Sequence, residues 1–393
     1  MNEEAVFLLK MLSCFVREES PGTFCGDCKK LLQLASIHNV APIAGYMFKK
    51  YPQPLYTEEG ALLWNMCLDS IMIFAGRNER MAELKRLISA AGIDILLFKG
   101  YVLKDYYPVP ELRTYFDIDF LIHPADRKKL DCLMIENGFE RKNDWEPVYS
   151  YYKGNEYYEV HTDIMEVSVT GKADQNEYFK HIWEHAVKID EHIYEIEPEY
   201  HFLYLLTHIA KHINNSGAGI RLYMDLAVFC LHFGDIIDWS VIQTELNVLK
   251  LDRFAGTVMM FVEKFFGVSV PLCLPYPQET VLNQFTEFTI AGGIFGRYGR
   301  DPGLFVLNKK SKNKKVISRI SAFMKYAFPS AEVLKSRYTY LDKRPWLLPF
   351  AWIHRIIKNR NETKLHYKEV RGIFKTSSKD INDLKTLIEK IGL

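Results

Sequence analysis

Leu96-Leu97-Phe98-Lys99-Gly100, followed by Arg113-Thr114-Tyr115-Phe116-Asp117-Ile118-Asp119-Phe120-Leu121-Ile122, is the stretch that decides how this chain folds. It reads as a short buried strand, a glycine turn, a connecting helix over 101–106, and a second strand carrying two carboxylates. Side chains alternate along a strand, so Asp117 and Asp119 share one face while Phe116, Ile118 and Phe120 take the other. Two like charges that close repel unless a cation sits between them. A divalent ion is the usual answer, because Mg²⁺ is held by one or two carboxylates together with substrate phosphates. Plain solvation at the strand's end is the alternative reading.

Upstream, apolar residues over 57–91 (Leu62, Leu63, Met66, Ile71, Ile73, Met81, Leu84, Leu87, Ile88) recur at helical spacing, and Gly92 stands where a helix ends. The strand over 93–98 follows directly. In the turn, Gly100 allows close backbone approach, and free N–H groups at a helix start favour an anion. Lys99 adds a positive point charge for phosphates there. Arg113, four residues before Asp117, either pairs with the acids or reaches a phosphate. A helix opening at Pro124-Ala125-Asp126 runs to Asn137-Gly138-Phe139 and returns the chain to the sheet.

This run, LLFKG, twelve residues, then RTYFDIDFLI and a later NGF, resembles the nucleotidyltransferase superfamily of the DNA polymerase β type. Within it the likeness is nearest to a bacterial group described as uncharacterised nucleotidyltransferases. It is specific over 93–139 and looser to about Phe229. One departure stands out: relatives usually carry Gly-Ser or Gly-Gly in the turn, where this chain has Lys99-Gly100. The resemblance implies a third acid on a later strand, placed on the segment Asn155-Glu156-Tyr157-Tyr158-Glu159-Val160-His161-Thr162-Asp163-Ile164-Met165. Glu159 fits the apolar–acid–apolar pattern best, with Asp163 as its rival. It would deprotonate the attacking hydroxyl or help hold the metal. His161 would contact phosphate or orient Glu159.

From 198 onward the pattern is helical. His208 and His212 sit one turn apart, but no Glu lies between them and no third ligand is evident, which weighs against zinc. The loop Asn214-Asn215-Ser216-Gly217-Ala218-Gly219 reads as flexible and polar. Arg221 and Asp225 follow at i, i+4, either as an ordinary ion pair or as part of a helical lobe that closes over nucleotide or acceptor, which the resemblance implies. The segment 292–300, with four glycines and two arginines, lacks P-loop spacing and reads as a mobile loop. A basic run at 308–315 and the stretch RPWLLPFAWIHR at 344–355 read as a solvated loop and a buried aromatic helix.

The 393 residues suffice for two or three domains, and a net charge of +1 excludes a polyanion binder acting through overall charge. Seven scattered cysteines point to reduced thiols and a cytoplasmic protein; the lone Cys25–Cys28 pair lacks the partners a structural zinc needs. There is no run long and apolar enough for a transmembrane helix and no secretory signal, so no membrane partner is expected. The expected fold is α+β, a small mixed sheet with flanking helices. It is divided into a helical extension (1–56), a catalytic core (57–190), a helical substrate lobe (191–270) and a mostly helical C-terminal region (271–393). The expected activity is Mg²⁺- or Mn²⁺-dependent transfer of a nucleoside monophosphate from an NTP, ATP foremost, to an unidentified small-molecule, protein or tRNA hydroxyl. Asp117, Asp119 and Glu159 would hold metal, and Lys99, Gly100, Arg113, His161, Arg221 and Asp225 the nucleotide. The rivals are a nucleotide-binding module without catalysis and an RNA- or protein-interaction protein using the basic, aromatic C-terminal third.

Overall fold

The computed structural model describes residues 1–51, 58–145, 147–165, 172–294, 296, 298, 300, 303–310, 319–335, 338, 340–358 and 370–393. Three helices open the chain, α1 (Glu3–Val16), α2 (Cys28–Ile37) and α3 (Ala41–Lys50), and α4 (Glu58–Ala90) is a single 33-residue helix. Asp27 caps α2 by accepting from the Lys29 and Lys30 N–H groups, and Pro42 sits in the first turn of α3, where its missing N–H costs nothing. At the far end of α4, Gly92 adopts φ +59° and Ile93 N–H donates back to the Ile88 carbonyl, so the chain turns at once into the sheet.

The strands are β1 (Ile95–Leu97), β2 (Asp117–Ile122), β3 (Glu140–Trp145), β4 (Val148–Lys153), β5 (Glu156–His161), β6 (Ala186–Asp190) and β7 (Ile193–Ile196). They form one mixed sheet in the order β3-β4-β5-β2-β1-β7-β6, with β2 antiparallel to β1 but parallel to β5. The α+β expectation is met. β1 is shorter than the 93–98 strand expected from sequence. The helix expected over 101–106 is one turn, α5 (Gly100–Leu103), followed by a 3-10 turn over Lys104–Tyr106.

Alternation along the strands divides the sheet between two cores. Ile95, Leu97, Ile118, Phe120 and Ile122 pack under Met81, Leu84 and Ile88 of α4 and under Leu130 and Met134 of α6 (Arg127–Glu136). Leu96, Phe98 and Leu121 face the other way, into a larger core. That core unites α1–α3 with α8 (Pro198–Asn215), α9 (Ile220–Phe233), α10 (Trp239–Leu249), α11 (Asp252–Phe266) and α12 (Glu279–Gly292); the short α7 (Gln175–Phe179) adds Phe179. The N-terminal helices and the helices after 198 therefore share one interior. His38 ties them together: its buried ring accepts from Ile220 N–H at Nδ1 (3.2 Å) and donates from Nε2 to the Ile290 carbonyl (3.0 Å). Burial pushes its pKa down to about 4, so the ring is neutral.

Three expectations are corrected. The 214–219 loop is packed rather than open: Asn214, Ser216 and Ala218 are buried, and a Cβ on Gly217 would lie 2.6 Å from the Gly296 Cα. Glycines at 217 and 296 are thus needed for close backbone contact, in place of the loop mobility expected at both segments. The aromatic stretch at 344–355 is also not buried. Ala351 of the helix Leu348–Lys358 packs on a small satellite core, while Trp346 and Phe350 are 70% and 65% exposed. Phe116 does not join the buried strand face either, being 66% exposed just before β2. Arg297 and Gly299, and residues 311–315 of the basic run, lie outside the described residues.

Candidate active site

The parallel register of β2 and β5 sets Asp119 opposite Glu159 and Leu121 opposite His161. Period two then places Asp117, Asp119, Glu159 and His161 on one face, as the sequence pattern indicated. The opposite face of both strands is apolar, with Ile118, Phe120, Tyr158 and Val160 in the core under α4 and α6, so the acids face the helices that follow 198.

Asp119 is buried, 3% exposed, and its Oδ1 is the focus of the cluster. Lys99 Nζ donates to it at 2.6 Å, and His161 Nε2 lies 2.9 Å from the same oxygen. His161 Nε2 is also 3.9 Å from Glu159 Oε2. Among the described residues, Asp119, Glu159 and His161 offer ligand atoms all within 4.8 Å of one another; Asp117 stands outside that group. Asp163 stands outside too: it lies two residues past the end of β5, where its Oδ1 accepts from Met165 N–H at 3.2 Å.

Electrostatics separate the three carboxyls. Burial would raise the pKa of Asp119, but Lys99 and His161 outweigh it and hold the group well below the usual range, hence ionised. Asp117 is raised by burial and by the neighbouring Asp119 charge, against which Lys99 acts. Glu159 is pushed up to about 7 by burial and then by Asp119. Lys99 itself is kept protonated, because the Asp119 carboxylate outweighs its burial.

Lys99 reaches Asp119 from an unusual backbone. It precedes α5 at φ +58°, ψ −135°, a region natural to glycine and costing another residue of order 1–3 kcal/mol. Gly100 serves packing in this structure: a Cβ there would lie 2.5 Å from Arg113 Nη1 and 3.0 Å from the Tyr115 Cβ.

Arg113 does not turn toward Asp117 or Asp119. Its Nε and Nη2 donate to Asp225 Oδ1 and Oδ2 at 3.0 and 2.8 Å, and Tyr107 Oη donates to the same Oδ1 at 2.6 Å. Arg113 and Asp225 are 4% and 3% exposed, so this is a fully buried, bidentate pair between the lead-in to β2 and α9. Arg221, one turn before Asp225, instead donates to the Thr114 carbonyl and lies within electrostatic reach of Asp117. On α8, His208 and His212 share a hydrogen bond, Nε2 to Nε2, at 2.9 Å. Burial, with the Lys99 ammonium nearby, lowers both, His212 to about 4, so the rings are neutral.

Two further features escaped the sequence reading. Glu156, 2% exposed at the start of β5, is held by Arg77 Nε at 2.8 Å and Arg80 Nη2 at 2.5 Å, which clamps α4 onto the strand that carries Glu159. A half-open cavity of about 320 Å³ flanks the lead-in to β2, lined by Met66, Asp69, Ile73 and Phe74 of α4 and by Tyr115 and Phe116. No sequence signal marked either, since the clamp depends on α4 lying against a strand some 80 residues later and the cavity on α4 meeting residues 111–116.

The mixed sheet, presenting an acid pair beside a third acid on the adjacent parallel strand and flanked by helices, is consistent with a nucleotidyltransferase-type fold. A family model described as "Uncharacterised nucleotidyltransferase" matches residues 25–267, well over half of the chain, and the chain belongs to that family. No curated protein and no solved structure matches it. No helix among the described residues is long and apolar enough to cross a membrane.

Proposed function

We propose that the chain transfers a nucleoside monophosphate from an NTP, ATP foremost, to an acceptor hydroxyl and releases pyrophosphate, with Mg²⁺ or Mn²⁺ as cofactor. The observation that carries this is the convergence of Asp119, Glu159 and His161 from paired strands. Their donor set fits such an ion. Their ligand atoms lie within 4.8 Å of one another. Two carboxylates suit Mg²⁺ or Mn²⁺, and the imidazole shifts preference toward the transition ion. When bound, the ion would supply charge neutralisation and orientation of the triphosphate.

The chain's own residues carry the remaining work. The acceptor oxygen attacks the α-phosphorus, its bond to the β-phosphate oxygen breaks, and pyrophosphate leaves. Asp117, at the partly exposed start of β2, would take the acceptor's proton. Lys99, and Arg221 beside Asp117, supply fixed positive charge toward the phosphates. Arg113 and Asp225 act at a distance, by fixing the lead-in to β2 against α9.

Pyrophosphate release from each NTP, with Mn²⁺ and with sugars, aminoglycosides, a peptide mixture or bulk tRNA as acceptors, tests the reading. Release with one acceptor class that disappears in Asp119→Asn supports it. Nucleotide binding without release by any acceptor would instead favour a binding module, a rival that the Lys99–Asp119 pairing keeps in view.

A further inference from the structure

We infer that Lys99 is a resident cation of this site that supplies the positive charge a second metal ion would otherwise bring, so that the chain takes one divalent ion and not two. The inference rests on the metal-dependent reading above and refines it. Sites that transfer phosphoryl-type groups with two metals use both ions to offset clustered carboxylates and phosphate oxygens. Here an ammonium already occupies part of that role: Lys99 Nζ sits 2.6 Å from Asp119 Oδ1.

Three observations converge. The first is position. Lys99 is 19% exposed and lies within electrostatic reach of all three acids, Asp117, Asp119 and Glu159. The α8 side chains around it, Tyr204, His208 and His212, bring no carboxylate to share it. The second is backbone. A residue at φ +58° belongs to glycine by preference, and a lysine held there places its ammonium directly on the acid strand. The third is charge. A second divalent ion beside Asp119 would be set close to the Lys99 ammonium and repelled by it.

The test counts ions on the whole chain. Equilibrium dialysis against Mn²⁺, with saturating α,β-methylene-ATP and a nucleotide-only control subtracted, gives Mn²⁺ bound per chain. One ion is expected on the wild type, and two on Lys99→Met. Lys99→Gly, which also relieves the turn, is expected to bind two as well, with thermal melts reporting that each variant is folded. Two ions on the wild type would overturn the inference while leaving the metal-dependent reading intact. An unchanged count of one in folded Lys99→Gly would overturn it too. No Mn²⁺ on either wild type or variant would take down both.

Discussion

Two buried ion pairs lie close together around β2, and they differ in how completely they are closed. At Asp225, Arg113 takes both carboxylate oxygens and Tyr107 shares one of them, so the carboxylate is bidentate, buried and fully engaged. At Asp119, Lys99 and His161 converge on Oδ1 alone, while Glu159 and Asp117 add further acid beside them. The first pair balances its charge and fixes α9 to the lead-in of β2. The second gathers more negative charge than its own cation neutralises, an arrangement that costs folding energy and is characteristic of sites built for a charged ligand. Closure distinguishes the Arg113–Asp225 pair from the cluster proposed as the active site.

That contrast can be broken in stages. The largest effect is expected from Asp119→Asn, which should lower the rate of pyrophosphate release by about a hundredfold to a thousandfold, the scale of removing one preorganised charge-stabilising group. Far-UV circular dichroism should remain that of the folded chain; a rate within twofold of wild type would erase the difference drawn between the two pairs. Arg113→Met should act on stability instead. Leaving the Asp225 carboxylate buried and unpaired is expected to cost about 3–5 kcal/mol, read from urea unfolding, and Arg113→Met with Asp225→Leu should recover much of it. Failure of the double variant to recover would show that Arg113 does more than answer Asp225.

Gly100→Ala probes the seam between the pairs, since its methyl would press on Arg113 and Tyr115. Overpacking of this kind is expected to cost about 1–3 kcal/mol, with Kd for the nucleotide analogue moving less than the melting temperature. The smallest effect concerns His38, outside both pairs. Its folded pKa, about 4, lies below the unfolded value, so the unfolded chain binds the proton more readily. Its contribution is therefore full above about pH 6.5 and is lost as pH falls toward 4. Urea midpoints at pH 7.5 and pH 5 should differ more in wild type than in His38→Gln, where no ring titrates.

Much of this was legible in the sequence, for local reasons. The alternation in DIDFLI required Asp117 and Asp119 to share a face, and the same period put Glu159 with His161. The glycine at 92 and the apolar spacing of α4 marked a helix running straight into a strand. What misled was local too. Arg113, four residues from Asp117, looked like its partner, yet Asp225, 112 residues on, holds it. Arg221 and Asp225 had the spacing of a helical ion pair, but each side chain is engaged elsewhere. The loop glycines at 217 and 296 suggested mobility, because close packing of two distant backbones leaves no trace in either segment alone.

By itself the sequence determined which residues face which way along each strand and helix, because periodicity is a property of the local backbone. Only the tertiary structure decided who meets whom: that β2 and β5 run parallel and side by side, that Lys99 rather than Arg113 reaches Asp119, and that Asp225 closes on Arg113. Those choices follow from how the sheet is ordered and how the helices after 198 pack on it, and hydrophobic burial summed over the whole chain sets both.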